Sequence, residues 1–178
     1  MSTRSVIILK RKEGDYKSIS CHWDGYPTYV GALLIDYYND YDKANELTEL
    51  GDLSSLKPKL SGSKDHTFES PENDVCIFYG RDRGEKGVGF KISNTINKAL
   101  AYRDYEYVYK FEDGDWYVAR WDDYDKDKCE FEWHLVEDVI DNEYKKYGIY
   151  RVENYYGWLS QDVIERFEKD GVVLQKRA

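Results

Sequence analysis

The chain has 178 residues, and its 26 Lys and Arg against 35 Asp and Glu give a net charge of −9. Eighteen Tyr and five Trp are too many aromatic residues for a disordered acidic tail, and no apolar run approaches the roughly 18 residues of a membrane-spanning helix. A chain of this length buries roughly 70% of the surface that its unfolded form exposes. We therefore expect one soluble domain, residues 1–178, that folds without disulfides.

The N-terminal segment and the cysteines indicate an intracellular protein. An apolar run at residues 6–9 is followed at once by basic residues 10–12, the reverse of the order in a secretion signal. Cys21, Cys76 and Cys129 are each more than fifty residues from the next and fit neither a disulfide framework nor a zinc ribbon. We expect a reducing compartment, with no structural metal and no cofactor.

Two patterns predict the first strands. Residues 6–9 and 75–79 are apolar without alternation, as in central strands that are covered on both faces. Residues 16–23 alternate and are predicted to form a β-hairpin with the first run. The side chains that this alternation directs inward are Ile19, Cys21 and Trp23.

Helical spacing follows in the next part of the chain. Apolar residues at positions i, i+3, i+4 and i+7 from Val30 to Tyr37 predict a helix. Asp42 is predicted to cap a second short helix, which ends at Gly51. Residues 57–73 contain proline, glycine, serine and lysine and predict a loop, the best candidate for a mobile segment.

The clearest local signal is a β-hairpin over residues 105–121. Asp113-Gly114 lies between two alternating runs and favours a two-residue type I′ turn. This turn fixes the register and gathers aromatic side chains on one face. The predicted cross-strand pairs are Tyr107 with Arg120, Tyr109 with Val118, and Phe111 with Trp116.

The remaining elements are predicted in the same way. Ser93 is a candidate cap for a helix that carries Ile96, Ala99 and Leu100. Residues 130–135 alternate, with Phe131, Trp133 and Leu135 inward, and are predicted to extend the sheet. Two C-terminal helices are predicted: one from Val136 to Gly148, and one capped by Ser160 that stops at Gly171.

Strands and helices mix without βαβ regularity. This order predicts an α+β fold with a mainly antiparallel sheet and four to five short helices. Residues 1–100 have 15 acids and 14 bases, whereas 101–178 have 20 acids and 12 bases. This change in charge marks a possible sub-boundary near residue 103.

Two polar clusters are candidates for a ligand site. His22, Asp24 and Tyr26 lie at the end of the second strand, and Arg81 and Arg83 lie in a glycine-rich segment after residues 75–79. Two arginines with exposed backbone amides suit a phosphate or carboxylate, so one hypothesis is a pocket that binds or hydrolyses a nucleotide or phosphoester. The structural alternative is a turn after the strand and a salt-bridged Arg-Asp-Arg turn.

No catalytic signature is present in the sequence. The Walker motif, the Gly-x-Ser-x-Gly elbow and the spacing of zinc ligands are all missing, and residues 122–127 lack the glycine and distal glutamate of a calcium loop. We therefore expect a binding protein rather than an enzyme.

The strongest anomaly in the composition is a high density of acidic residues in one part of the sequence. Residues 104–143 contain 15 acids and 4 bases, a local net charge of −11, which disfavours direct binding of nucleic acid. One interpretation is a solvated face that maintains solubility. The other is mimicry, in which carboxylates occupy the positions of DNA phosphates and attract a basic groove on another protein. The candidate partner-binding residues are Asp104, Asp122, Asp123, Asp125, Asp127, Glu130 and Glu132.

Four segments in the first 120 residues resemble a family of small proteins that bacteriophages and prophages carry. These segments are MSTRS at 1–5, CHWDGYP at 21–27, GDLSSL at 51–56 and YGRDRGE at 79–85. The resemblance implies a phage accessory protein in the host cytoplasm that binds a host enzyme or defence factor stoichiometrically. It implies no activity, cofactor or catalytic residue.

Overall fold

The structure, a computed structural model, describes residues 2–147, with side chains described through Glu143. Its strands are β1 (Ser5–Lys10), β2 (Tyr16–Cys21), β3 (Leu53–Ser55), β4 (Ile77–Phe78), β5 (Lys91–Ser93), β6 (Tyr107–Glu112), β7 (Asp115–Arg120), β8 (Tyr124–Asp125), β9 (Glu130–Phe131) and β10 (His134–Leu135). Its helices are α1 (Ala32–Tyr37), α2 (Tyr41–Glu49), α3 (Tyr79–Arg83), α4 (Ile96–Leu100) and α5 (Val136–Tyr147). The predicted α+β class is confirmed.

Most of the strands form one mixed sheet in the order β10-β7-β6-β1-β2-β3-β4, and β5 pairs with β2 beside this path. Neighbours are antiparallel except for two parallel pairs, β1 with β6 and β2 with β3. Strands β8 and β9 form a separate two-stranded sheet. Because β1 pairs with β2 on one side and β6 on the other, the main sheet is continuous across residue 103.

The predicted N-terminal hairpin is present, and β1 is a central strand whose residues 6–9 are fully buried. The prediction of a second central strand at 75–79 is wrong. Only Ile77–Phe78 form a strand, and it lies at the edge of the sheet. Val75 instead forms an isolated parallel bridge with Lys59, whose carbonyl accepts from the N–H of Cys76. Tyr79 begins α3, so a tertiary contact limits the strand at one end and a helix limits it at the other.

The helix caps differ from the predicted ones by two residues each. The first helix begins with a π-helical turn, Pro27–Gly31, before α1. Asp40, rather than Asp42, caps α2 by accepting from the backbone N–H of Lys43 at 2.8 Å. Thr95, rather than Ser93, caps α4. In both cases the predicted residue lies inside an element, whereas the cap is the extended residue just before the helix.

The hairpin of β6 and β7 has the predicted register in all three pairs. Asp113 and Gly114 have φ values of 52° and 89°, as the two central positions of a type I′ turn require. Residues 130–135, in contrast, do not form one continuous strand. They divide into β9, which pairs with β8, and β10, which pairs with β7. Phe131 is buried as predicted, but Leu135 is exposed.

Helices cover both faces of the sheet. On one face α1, α2 and α5 pack over a core that includes Ile7, Leu9, Ile19, Tyr109 and Trp116. The opposite face packs Val6, Ile8, Val108 and Ala119 against α4 and Phe131. No helix in the part of the chain that the structure describes has the length and apolar character to cross a membrane. The predicted Gly148 terminus and the helix from Ser160 to Gly171 lie outside the described residues.

Candidate binding surface

The two clusters of the predicted phosphate pocket follow different strands. His22 and Asp24 come after β2, and Arg81 and Arg83 lie in α3, directly after β4. Strand β3 lies between β2 and β4, parallel to the first and antiparallel to the second. The segments after β2 and β4 therefore leave the sheet in opposite directions. A pocket formed by both clusters requires the two segments to leave the sheet at the same end, so this topology does not bring the clusters together.

Arg81 and Arg83 have structural partners. The guanidinium of Arg81 donates to both carboxylate oxygens of Asp82 at 2.7 and 2.9 Å and to the Cys76 carbonyl at 2.8 Å. It also donates to the carbonyl of Leu60. Arg83 lies over the ring of Phe68, 4.9 Å from its centroid. Both arginines thus fasten the loop at 57–73 to α3, and the ion pair of Arg81 with Asp82 fits the structural alternative of a salt-bridged turn.

His66 completes this anchor, and the sequence analysis did not identify it. Its Nδ1 accepts from the backbone N–H of Glu72 at 3.0 Å, and its Nε2 lies 3.4 Å from Asp82 Oδ2. Burial raises the pKa of Asp82, but hydrogen bonds from Arg81 and from the N–H of Phe78 outweigh it and hold that pKa below its usual value. The loop predicted at 57–73 is therefore irregular but anchored by buried polar contacts.

His22, Asp24 and Tyr26 build the turn that leaves β2. The His22 ring packs edge-on against Trp23, which is 45% exposed rather than inward-facing. The Tyr26 hydroxyl donates to Asp24 Oδ1 at 3.4 Å. A Cβ on Gly25 would lie 2.8 Å from the carbonyl oxygen of Thr3, so this close approach requires glycine. These contacts fit a structural turn.

The neighbouring thiol is unsuited to nucleophilic chemistry. Cys21 is buried, and burial raises its pKa to about 12, so the thiolate is scarce at neutral pH. Among the described residues, no group of three or more His, Cys, Asp or Glu side chains is arranged to hold a metal ion.

The acidic residues, in contrast, come together. A cavity of about 600 Å³, here called the acidic cavity, is formed by the turn Trp121–Asp123 and the hairpin of β8 and β9. It is lined by Asp122, Asp123, Tyr124, Asp125, Lys128, Glu130, Phe131 and Glu132. Of the seven predicted partner-binding acids, five line this cavity. Asp127 lies in the β8–β9 turn, and Asp104 pairs with Arg4.

Two of these acids hold the backbone of the turns that form the cavity. Asp123 Oδ2 accepts from the N–H of Arg120 at 2.7 Å, which closes the turn. Asp125 Oδ1 accepts from the N–H groups of Asp127 and Lys128 at 3.0 and 3.1 Å and so shapes the β8–β9 turn. This local hydrogen bonding is why acids so close in sequence face one cavity instead of spreading over the surface.

The cavity carries an excess of negative charge. The Nζ atom of Lys128 lies 3.0 Å from Asp125 Oδ2, and the Nε atom of Arg120 lies 3.3 Å from Asp122 Oδ1. The hydrogen bond from Lys128 also lowers the pKa of Asp125. Among the described residues, three of the five lining carboxylates have no lysine or arginine within 4 Å, and one of these three, Glu132, lies 4.0 Å from His134 Nε2. Such a cluster in a concave surface produces a focused negative potential.

A groove lined mainly by aromatic and aliphatic side chains, here called the apolar groove, adjoins the acidic cavity. The groove, of about 350 Å³, is lined by Asn97, Leu100, Ala101, Tyr105, Trp121, Tyr124 and Phe131. Tyr124 and Phe131 line both the groove and the cavity. Sequence reasoning identified the aromatic density but not the groove, because one wall comes from α4, some thirty residues before β9.

Comparison with known proteins gives no match: no family model fits the chain, and no curated protein or solved structure is significantly similar to it.

Proposed function

We propose that this protein is a non-catalytic binding protein whose acidic cavity binds a basic region of another protein stoichiometrically. The observation that carries the proposal is the convergence of five carboxylates on one cavity whose described lining contains a single cation, Lys128. A basic surface gains on-rate and specificity from such a potential, whereas nucleic acid is repelled. Carboxylates grouped in this way are also the arrangement that mimicry of DNA phosphates requires.

The resemblance to phage and prophage proteins supplies the biological setting of the proposal. In that setting the partner is a host or defence protein, in the host cytoplasm, that normally uses its basic surface to bind nucleic acid. The phage protein would occupy that surface and block it. Nothing in the described structure supports the alternative of a nucleotide- or phosphoester-binding pocket, because Arg81 and Arg83 fasten a loop and lie away from His22 and Asp24.

The test compares two triple variants in capture experiments from a bacterial lysate. The cavity variant combines Asp122→Lys, Glu130→Lys and Glu132→Lys and reverses the charge of the cavity. It leaves Asp123 and Asp125 unchanged, because these two residues accept hydrogen bonds from the backbone of the turns. The matched control, Glu46→Lys with Asp65→Lys and Glu69→Lys, makes the same change of net charge at exposed positions elsewhere.

We expect wild type and the control to capture a protein that the charge-reversed cavity variant does not capture. Duplex DNA should displace this protein from wild type. Light scattering of the reconstituted complex should give a fixed stoichiometry. Capture of the same proteins at equal yield by all three forms would contradict the proposal.

A further inference from the structure

We propose that the acidic cavity and the adjoining apolar groove form one docking surface for a lysine- or arginine-rich segment that inserts an apolar side chain into the groove. The inference rests on the proposed function and deepens it, because it specifies the chemistry of the partner segment. Its basis is the continuity of the two depressions through Tyr124 and Phe131, which line both of them.

These two shared aromatic residues are held in fixed positions. Tyr124 pairs with Phe131 across β8 and β9, and their rings meet edge to face with centroids 5.0 Å apart. The Asn97 side-chain amide donates to the Tyr124 hydroxyl at 3.2 Å and to the Cys129 carbonyl at 3.5 Å, which links α4 to the hairpin. The groove is therefore preformed, and binding there costs little ordering of the protein.

The groove offers an incompletely buried aromatic surface. Leu100 and Phe131 are buried beneath it, whereas Trp121 at its rim is 59% exposed. The backbone N–H of Trp121 donates to the Glu106 carbonyl at 3.1 Å, which fixes the start of the turn that carries it. An exposed tryptophan beside buried apolar side chains is the arrangement that anchors an apolar side chain of a partner.

Charge decides which occupant fits. Next to the groove, Asp122 and Asp123 directly follow Trp121, and Glu130 and Glu132 flank Phe131 in the sequence. A second copy of the chain would bring an equally acidic cavity to the interface, and anionic lipid or nucleic acid would be repelled in the same way. A segment with one apolar anchor between basic residues satisfies both parts of the surface.

The test uses two labelled seven-residue peptides of equal charge. Both have three lysines on each side of a central residue, which is phenylalanine in one peptide and serine in the other. Fluorescence anisotropy with the full chain should show the phenylalanine peptide binding about tenfold more tightly, as expected for burial of one aromatic side chain. The serine peptide reports the charge contribution alone.

Two variants change the groove and leave the neighbouring acidic residues unchanged. Trp121→Ser removes the rim, and Ala101→Trp fills the groove from an exposed position at the end of α4. Each should abolish the preference for phenylalanine and leave the affinity for the serine peptide nearly unchanged. Circular dichroism confirms that both variants are folded.

The outcomes separate the two proposals. If both groove variants keep the phenylalanine preference, or if wild type shows none, the groove inference is overturned, while the proposed function stands as long as the cavity variant loses the serine peptide. If the cavity variant binds both peptides as wild type does, the proposed function also fails. Sedimentation that shows a wild-type dimer and a Trp121→Ser monomer would identify a second copy as the occupant and overturn the inference.

Discussion

Trp116 is held by both its ring and its indole nitrogen. Its ring packs edge-on against Phe111, with centroids 5.2 Å apart, and its Nε1 donates to the Tyr38 carbonyl at 2.8 Å. It is 3% exposed. We expect Trp116→Ala to lower the free energy of unfolding by about 3–5 kcal/mol, because lost transfer energy and a cavity add together.

Chemical denaturation measures this loss, and Trp121 provides the control. Trp121→Ala removes the same side chain from an exposed position and should change stability by less than about 1 kcal/mol. Equal losses at the two positions would show that the aromatic face of the β6–β7 hairpin is not the buried one.

Asp82 contributes a pH-dependent part of stability. Because its pKa is lower in the folded protein than in the unfolded chain, its contribution is complete above the unfolded value of about 3.9 and is lost as the pH falls through the folded value. Asp82→Asn should therefore reduce stability at neutral pH and flatten the acid limb of the stability profile. Denaturant midpoints between neutral pH and about pH 3 measure both effects. An unchanged acid limb in the variant would contradict this assignment.

At the scale of elements, predictability follows from how local the cause is. The β6–β7 hairpin is predictable in full because its turn residues and its alternation lie within 17 residues. The run at 75–79 has the composition of a central strand, yet contacts with Lys59 and the start of α3 limit it to an edge strand. No local pattern reports such contacts.

The same distinction applies to the candidate site, of which one part follows from the local sequence and another from the tertiary arrangement. The acids of the cavity lie within residues 122–132 and share turns and short strands, so their clustering follows from the local sequence. The groove requires Asn97 and Leu100 from α4, and the pocket hypothesis required a particular strand order. Both depend on tertiary arrangement, which the sequence pattern does not contain.

The cap of α2 provides a test at the level of one element. Asp40 accepts from the N–H of Lys43, whereas Asp42 lies in the first turn and contributes only through the helix dipole. We expect Asp40→Ala to cost about 1 kcal/mol and Asp42→Ala about half of that or less. Equilibrium unfolding of the two variants side by side gives the comparison. A larger loss for Asp42→Ala would restore the cap predicted from the sequence.

At the scale of the whole molecule, charge is distributed unevenly. The chain has a net charge of −9, yet residues 1–100 are nearly neutral, so most of the excess negative charge lies in the second part of the sequence. The acidic cavity collects five of these carboxylates at one place on the surface, and such a polarity orients the molecule in the field of a basic partner before contact. Long-range attraction of this kind acts mainly on the association rate.

This polarity leads to a kinetic prediction for the complex with a partner that the protein captures. Reversal of Asp122, Glu130 and Glu132 to lysine should lower the association rate constant more than it raises the dissociation rate constant. Added salt should have the same effect on wild type, because the screening length falls from about 10 Å at 0.1 M to about 3 Å at 1 M. Stopped-flow mixing at several salt concentrations measures both rate constants. The control reversal of Glu46, Asp65 and Glu69 changes net charge equally, so an identical fall in its association rate would mean that overall charge, and not the acidic cavity, steers the encounter.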